Sequence, residues 1–156
     1  MIQSLFLDTS IWNFALADDS PDFRDLTLEL FDLIHQFESR AVISNLVVQE
    51  IDLAPLLKAS RMHDLIASIN PYVFEMTDEA FELGRAYITH GVLSENHSVD
   101  CFHVAAATIL DVEFLLSWNF RHLANENKSS RFSEVNGKLG YPNRLKIGSP
   151  LEVLRS

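Results

Sequence analysis

Four polar residues in this 156-residue chain stand where an apolar run ends or a helix begins. They are Asp8 after LFL, Glu50 in NLVVQEI, Asp100 in SVDCFHV and Asn119 after FLLSW. Carboxylates brought within a few ångströms of one another repel, and partial burial sharpens the repulsion. A cluster of that kind must take up protons, gather basic partners or bind a cation. Hard divalent ions such as Mg²⁺ and Mn²⁺ suit carboxylate oxygens and water. A site of this type activates a water and stabilises charge building up on a phosphodiester. Taken singly, an Asp after a strand is commonly a turn former and a helical Glu is commonly solvated. The weight of the set comes from its members falling at comparable strand ends.

The elements that must position them are legible as alternating patterns. Residues 2–7 form a mostly apolar run that reads as a buried strand presenting Asp8 at its end. Ser20 followed by Pro21 marks a helix start, after which Phe23, Leu26, Leu30, Ile34 and Phe37 recur at spacings of three and four. Residues 41–44 read as a second strand, and Ser44 or Asn45 caps a helix carrying Glu50. Pro55 restarts a helix over 56–69, and Pro71 ends it. A third strand is expected over 72–76. A helix capped by Thr77 follows and stops at Gly91. Residues 99–110, rich in Ala, read as a buried helix opened by Asp100, and 112–118 as an apolar strand ahead of Asn119. Residues 119–138 read as polar and irregular, 145–147 as an edge strand, and Ser149-Pro150-Leu151-Glu152 as a capping box. The alternation predicts an α/β fold: a three-layer sandwich with a four- or five-stranded, mainly parallel sheet, in one domain over residues 1–156. In such a sheet ligands bind beyond the carboxyl ends of the strands, where the four polar residues are expected.

Composition narrows the class. An apolar share of 47% with 22% charged residues fits a globular chain, not a disordered one. One cysteine allows no internal disulfide, and no apolar run reaches the ~18–20 residues needed to span a bilayer. The start has no basic segment followed by a long apolar one, so a cytoplasmic protein without membrane attachment is the expectation. The net charge of −10 opposes long-range attraction to nucleic acid, but the distribution is uneven. Residues 1–120 hold 5 basic and 19 acidic side chains, whereas residues 121–156 hold 7 basic and 3 acidic ones. The second stretch, beginning at Arg121, suits contact with a polyanion. HExxH, CxxC, GxGxxG and GxxxxGK[ST] are all absent, which removes zincin, zinc-ribbon, Rossmann and P-loop readings. Cys101 and His103 are two apart and lie on different faces of a helix, so they form no thiol–imidazole dyad.

The segments LFLDTSIW (5–12), VISNLVVQEI (42–51), SVDCFHVAAATI (98–109) and FLLSWNFRHLAN (114–125), in that order, resemble the PIN-domain family. The likeness is greatest to the VapC-type toxins of bacterial toxin–antitoxin pairs, and Asn136, Gly140, Pro142 and the SPLEVL end add to it. The resemblance implies a Mg²⁺- or Mn²⁺-dependent endoribonuclease. Asp8, Glu50 and Asp100 match the family's acids, with Asp8 and Asp100 as metal ligands and Glu50 orienting or deprotonating the attacking water. Ser10 matches the small hydroxyl residue that holds water or substrate. Asn119 falls where many members carry a fourth acid. It keeps an acceptor oxygen but brings no charge, which bears on a second metal. Arg121 is expected to clamp the RNA backbone, and His103, one helical turn from Asp100, to support the site or contact the leaving oxygen. Trp12 and Trp118 are expected in the core more than against a base. The resemblance further implies an RNA substrate, a cognate antitoxin and a homodimer. A catalytically weak PIN-type module that binds RNA or protein is the alternative reading. An Asp-nucleophile phosphohydrolase fits less well, because position 10 is Ser where that chemistry has a second Asp.

Overall fold

The central strands arise where a short apolar run can be buried on both faces, and each helix where one stripe can. The computed structural model describes residues 3–155. In chain order the elements are β1 (Ser4–Leu7), α1 (Thr9–Phe14), α2 (Pro21–Phe37), β2 (Arg40–Ser44), α3 (Asn45–Asp52), α4 (Leu56–Ile69) and β3 (Tyr72–Phe74). They continue with α5 (Asp78–Thr89), a 3₁₀ turn (Glu95–His97), α6 (Ser98–Ile109), β4 (Phe114–Leu116), α7 (Glu126–Lys138), β5 (Lys146–Gly148) and α8 (Leu151–Leu154). The strands form one five-stranded sheet in the order β3-β2-β1-β4-β5, every pairing parallel. This is the α/β sandwich expected from the alternation, with the upper strand number.

The topology decides where a ligand can go. From β1 the chain winds outward through β2 to β3, then crosses back to the other side of β1 and continues through β4 to β5. The direction of winding therefore reverses between β1 and β4. The carboxyl ends of those two strands open on a crevice that helices do not close. Leu5, Phe6 and Leu7 of β1 and Leu115 and Leu116 of β4 are wholly buried, as strands covered on both faces must be. α6 lies deep in the core, with Cys101 and His103 through Thr108 all buried. Gly84 allows α5 to pack close to it, since a Cβ there would lie 2.3 Å from Phe102 Cδ1.

Several boundaries differ from the sequence expectation, each for a local reason. The first strand was expected from residue 2, which lies outside the described residues. The third strand ends at Phe74, because the Met76 N–H turns to the Asn45 side-chain oxygen at 2.9 Å. The fourth begins only at Phe114. Val112 N–H is still donating to Ala107 O at 3.2 Å, wrapping the end of α6, and Asp111 takes a left-handed φ of 55°. The stretch 119–138 is not irregular throughout: α7 fills its second half. Asn125 caps α7 by accepting from Lys128 N–H at 2.9 Å, and Phe132 and Val135 bury one stripe of a sequence whose serines and Gly137 are weak helix formers. α1 was not anticipated. It turns only six residues and is held by the buried Ile11 and Trp12. At the C-terminal turn Ser149 Oγ accepts from Leu151 N–H at 3.3 Å, one position earlier than a capping box places it.

Candidate active site

The crevice between β1 and β4 is knit by hydroxyls. Asp8 follows β1, and its N–H donates to Leu116 O at 3.2 Å, so the backbone beyond β1 stays attached to β4. Its side chain is 3% exposed. Ser10, in the first turn of α1, donates to Asp8 Oδ1 at 2.5 Å and accepts the Trp118 N–H at 2.9 Å. Ser10 Oγ also lies 3.4 Å from Ser117 Oγ, which in turn accepts the Asn119 N–H at 3.0 Å. Burial raises the Asp8 carboxyl above its ordinary range, and the hydroxyls of Ser10 and Ser117 and the charge of His103 offset that only in part.

Glu50 reaches the same crevice from α3, which starts directly after β2. Its Oε1 accepts from Thr9 Oγ1 and from His103 Nε2, the latter at 2.9 Å. Burial works to raise this carboxyl, but the hydrogen bond and charge of His103, with the Thr9 hydroxyl, outweigh it and hold Glu50 below the ordinary value. His103 is pushed the opposite way. Burial favours the neutral ring, yet Glu50 first, then Asp8 and Asp100, raise its pKa. Both shifts have the same cause, the close pairing of Glu50 with His103. His103 is 1% exposed and packs against Phe6, with ring centroids 5.8 Å apart.

Asp100 enters from the first turn of α6. Its Oδ2 accepts from Asn119 Nδ2 at 3.3 Å, and Asn119 Oδ1 accepts the His122 N–H at 3.0 Å. Burial is the main cause that pushes Asp100 up to about 6; the charges of Asp8 and Glu50 add to it, and His103 opposes. Asp8, Glu50, Asp100 and Asn119, from four separate segments, thus form one cluster of side chains, with Ser10 and His103 among them.

The remaining sequence candidates fall into place around it. His103 is 1% exposed and hydrogen-bonds to Glu50. Trp12 is fully buried against Phe31, and Trp118 Nε1 donates to Thr27 Oγ1 at 2.8 Å, so both rings belong to the core. The basic stretch does not converge on the crevice. Lys128 and Arg131 bind the carbonyls of Val92 and Gly91, Lys138 pairs with Glu134, Arg144 with Asp111, and Lys146 lies over the Phe114 ring. Arg121 is left exposed beside the site with no partner for its guanidinium among the described residues. Thr9 and Ser117 were not singled out from the sequence. Their proximity to Asp8 and Asn119 along the chain was the available signal.

The donor set can be tested against a divalent ion. Among the described residues, no group of three His, Cys, Asp or Glu side chains closes into a ready metal cage. Asp8 and Asp100 are nonetheless carboxylates raised by burial and close enough for the charge of Asp8 to act on Asp100. That suits Mg²⁺, which keeps most of its waters and takes one or two carboxylates, better than it suits Zn²⁺. The residues fit a hard cation.

No family model matches the chain, and no curated protein matches it by sequence. Solved structures do match. A chain of the VapBC2 assembly from Rickettsia felis, crystallised with a fragment of its promoter DNA, superposes with a TM-score of 0.62 at 14% identity, covering 94% of this chain and 98% of that one. VapC20 of Mycobacterium tuberculosis, a toxin that cleaves the sarcin–ricin loop, superposes with a TM-score of 0.59 at 15% identity, covering 76% of this chain and 92% of that one. The fold is that of VapC toxins. In the VapC fold of this chain the acidic pocket lies at the winding reversal between β1 and β4. No helix among the described residues is long and apolar enough to cross a membrane.

Proposed function

We propose that this chain is a divalent-metal-dependent endoribonuclease of the VapC type, acting as the toxin of a toxin–antitoxin pair. The observation that carries the reading is the convergence of Asp8, Glu50 and Asp100 at the winding reversal of the sheet, where burial and the neighbouring acids push Asp100 up and the imidazoles of His103 and His97 oppose. Such a pocket repels a phosphodiester unless positive charge is added. Asp8 and Asp100 would hold Mg²⁺ or Mn²⁺, which when bound would supply that charge and lower the pKa of water.

The chain's own residues do the rest. Ser10 fixes the rotamer of Asp8, and Asn119 that of Asp100. Thr9 and His103 both occupy Oε1 of Glu50, leaving Oε2 to orient the attacking water and accept its proton. Attack is in line, with no covalent intermediate. Arg121 is the cation beside the pocket available to the backbone of the RNA. The solved VapBC2 assembly supports an antitoxin as partner. The α3–α4 junction, where Leu53, Leu56 and Leu57 are 87%, 88% and 75% exposed, supplies apolar surface for one.

Asn119 in place of a fourth acid favours a second reading, a catalytically weak module that binds RNA. Incubating labelled RNA with wild type and Asp8→Asn, in Mg²⁺, in Mn²⁺ and with chelator, separates the two. The nuclease reading expects cleavage that chelator and Asp8→Asn both abolish. Binding without cleavage in either ion would establish the module instead.

A further inference from the structure

On the rim of the pocket two imidazoles lie face to face. The rings of His97 and His122 have centroids 3.8 Å apart and planes 29° from parallel. His97 is the residue that caps α6, about one helical turn (~5 Å) before Asp100. His122 lies three residues beyond Asn119. The stack therefore joins the two segments that present Asp100 and Asn119, and the hydrogen bonds from His122 N–H to Asn119 and from Asn119 to Asp100 close the loop.

We propose that His97, His122 and Arg121 form a seat for one phosphate of the RNA backbone, beside the phosphate that is cut. This inference rests on the nuclease reading above. Its first support is charge. His122 faces His97, Arg121 and Lys128, and these basic groups, after burial itself, disfavour its protonated form. Two cations, Arg121 and Lys128, and two imidazoles lie together here on a chain of net charge −10. Three other cations are held in ion pairs: Arg24 with Asp18 and Asp25, Lys138 with Glu134, and Arg144 with Asp111. Lys128 is held by the Val92 carbonyl at 2.7 Å, whereas Arg121 keeps its fork of donors free. An anion among these groups turns repulsion into charge-assisted hydrogen bonds. The second support is chemistry. Imidazole and guanidinium donors suit phosphate oxygens, and the pair carries no third metal-binding side chain, among the described residues, that would make it a transition-metal site. The third is place. A strand whose scissile phosphate lies at the acids must pass over the rim, and this is the part of the rim with donors to receive it.

The test uses His122→Phe, which keeps a ring on His97 but removes the N–H, and Arg121→Gln. Each is made in a Glu50→Gln background with Mg²⁺, so that RNA is bound and not cut. Affinity for a labelled single-stranded RNA is measured from about 50 to 200 mM salt, and removing one phosphate-neutralising group lowers the slope of log K against log salt by ~0.7. The expected result is weaker binding and a shallower slope for both variants, with unchanged melting temperatures. An unchanged slope in both overturns the seat. Lower affinity at unchanged slope also overturns it, and assigns the stacked rings to a base instead. If the variants behave like the background while wild type still cleaves RNA, the seat fails and the nuclease stands. If wild type neither binds nor cleaves RNA, both fail together.

Discussion

Removing the charge of Asp100 should make the metal-free protein more stable, and only above a definite pH. The Asp100 carboxyl is pushed up to about 6 from an ordinary 3.8, by burial and by the charges of Asp8 and Glu50. A carboxyl raised in the folded state binds its proton more tightly there than in the unfolded chain. Its contribution is therefore fully favourable below about pH 4 and is lost as the pH rises through about 6. The gap between the two values corresponds to about 3 kcal/mol. Asp100→Asn keeps the acceptor for Asn119 Nδ2 and removes the charge. For a chain of this length about 3 kcal/mol amounts to ~6–12 °C in melting temperature. Thermal melts of wild type and Asp100→Asn in chelator, at pH 8 and at pH 4, measure it. The variant should melt higher at pH 8, and the difference should vanish at pH 4. A variant that melts lower at pH 8, or a gap independent of pH, would refute the assignment of Asp100 to a pocket crowded with negative charge. Added Mg²⁺ should then raise the wild-type melting temperature and leave that of Asp100→Asn nearly unmoved, because an ion that binds only the folded state stabilises by mass action.

Other perturbations test the supports around the acids and the packing beneath them. Thr9→Val frees one side of Glu50 Oε1 and should lower kcat about 10- to 100-fold with KM little changed, as read from initial rates of RNA cleavage. Tyr87→Phe removes the hydroxyl that donates to Asn136 Oδ1 at 2.5 Å and leaves that buried oxygen without its donor, while Asn136 Nδ2 keeps its bond to Thr108. It should cost about 1–3 kcal/mol in urea denaturation while leaving the pocket unchanged. Gly84→Ala places a methyl against Phe102 where α5 meets α6 and should cost about 1–3 kcal/mol in the same assay.

The parallel sheet was legible because each strand of this chain reads as an apolar run with helical periodicity between. Leu5 to Leu7 and Leu115 to Leu116 signal burial on both faces without any tertiary knowledge. The placement of Asp8 and Asn119 followed from the same pattern, since both come directly after such runs. What the pattern could not carry was the second partner of each acid. Thr9 lies one residue from Asp8 yet bonds to Glu50, 41 residues away, and Ser117 lies two from Asn119 and serves it through the backbone. Those bonds depend on how α1 turns, and α1 is too short to show a period. α7 was obscured for a different reason. Its buried stripe is only Phe132, Val135 and Asn136, and the network of Tyr87, Thr108 and Asn136 that anchors it joins three distant segments.

The charge count of the pocket bears on how many ions it takes. Inside the pocket His103 pairs with Glu50, while the other hydrogen-bond partners of the acids, Ser10, Thr9 and Asn119, are neutral. Asp8 and Asp100, outside the Glu50–His103 pair, carry at most two negative charges, which one divalent ion offsets. A second divalent ion would meet excess positive charge, and Asn119 gives it no anionic ligand. Calorimetric titration with Mn²⁺ should therefore find one ion per chain. Asn119→Asp restores a negative charge in hydrogen-bond reach of Asp100, and should either raise the stoichiometry to two or lift the pKa of the new pair in chelator. Two ions bound by the wild type would contradict this count.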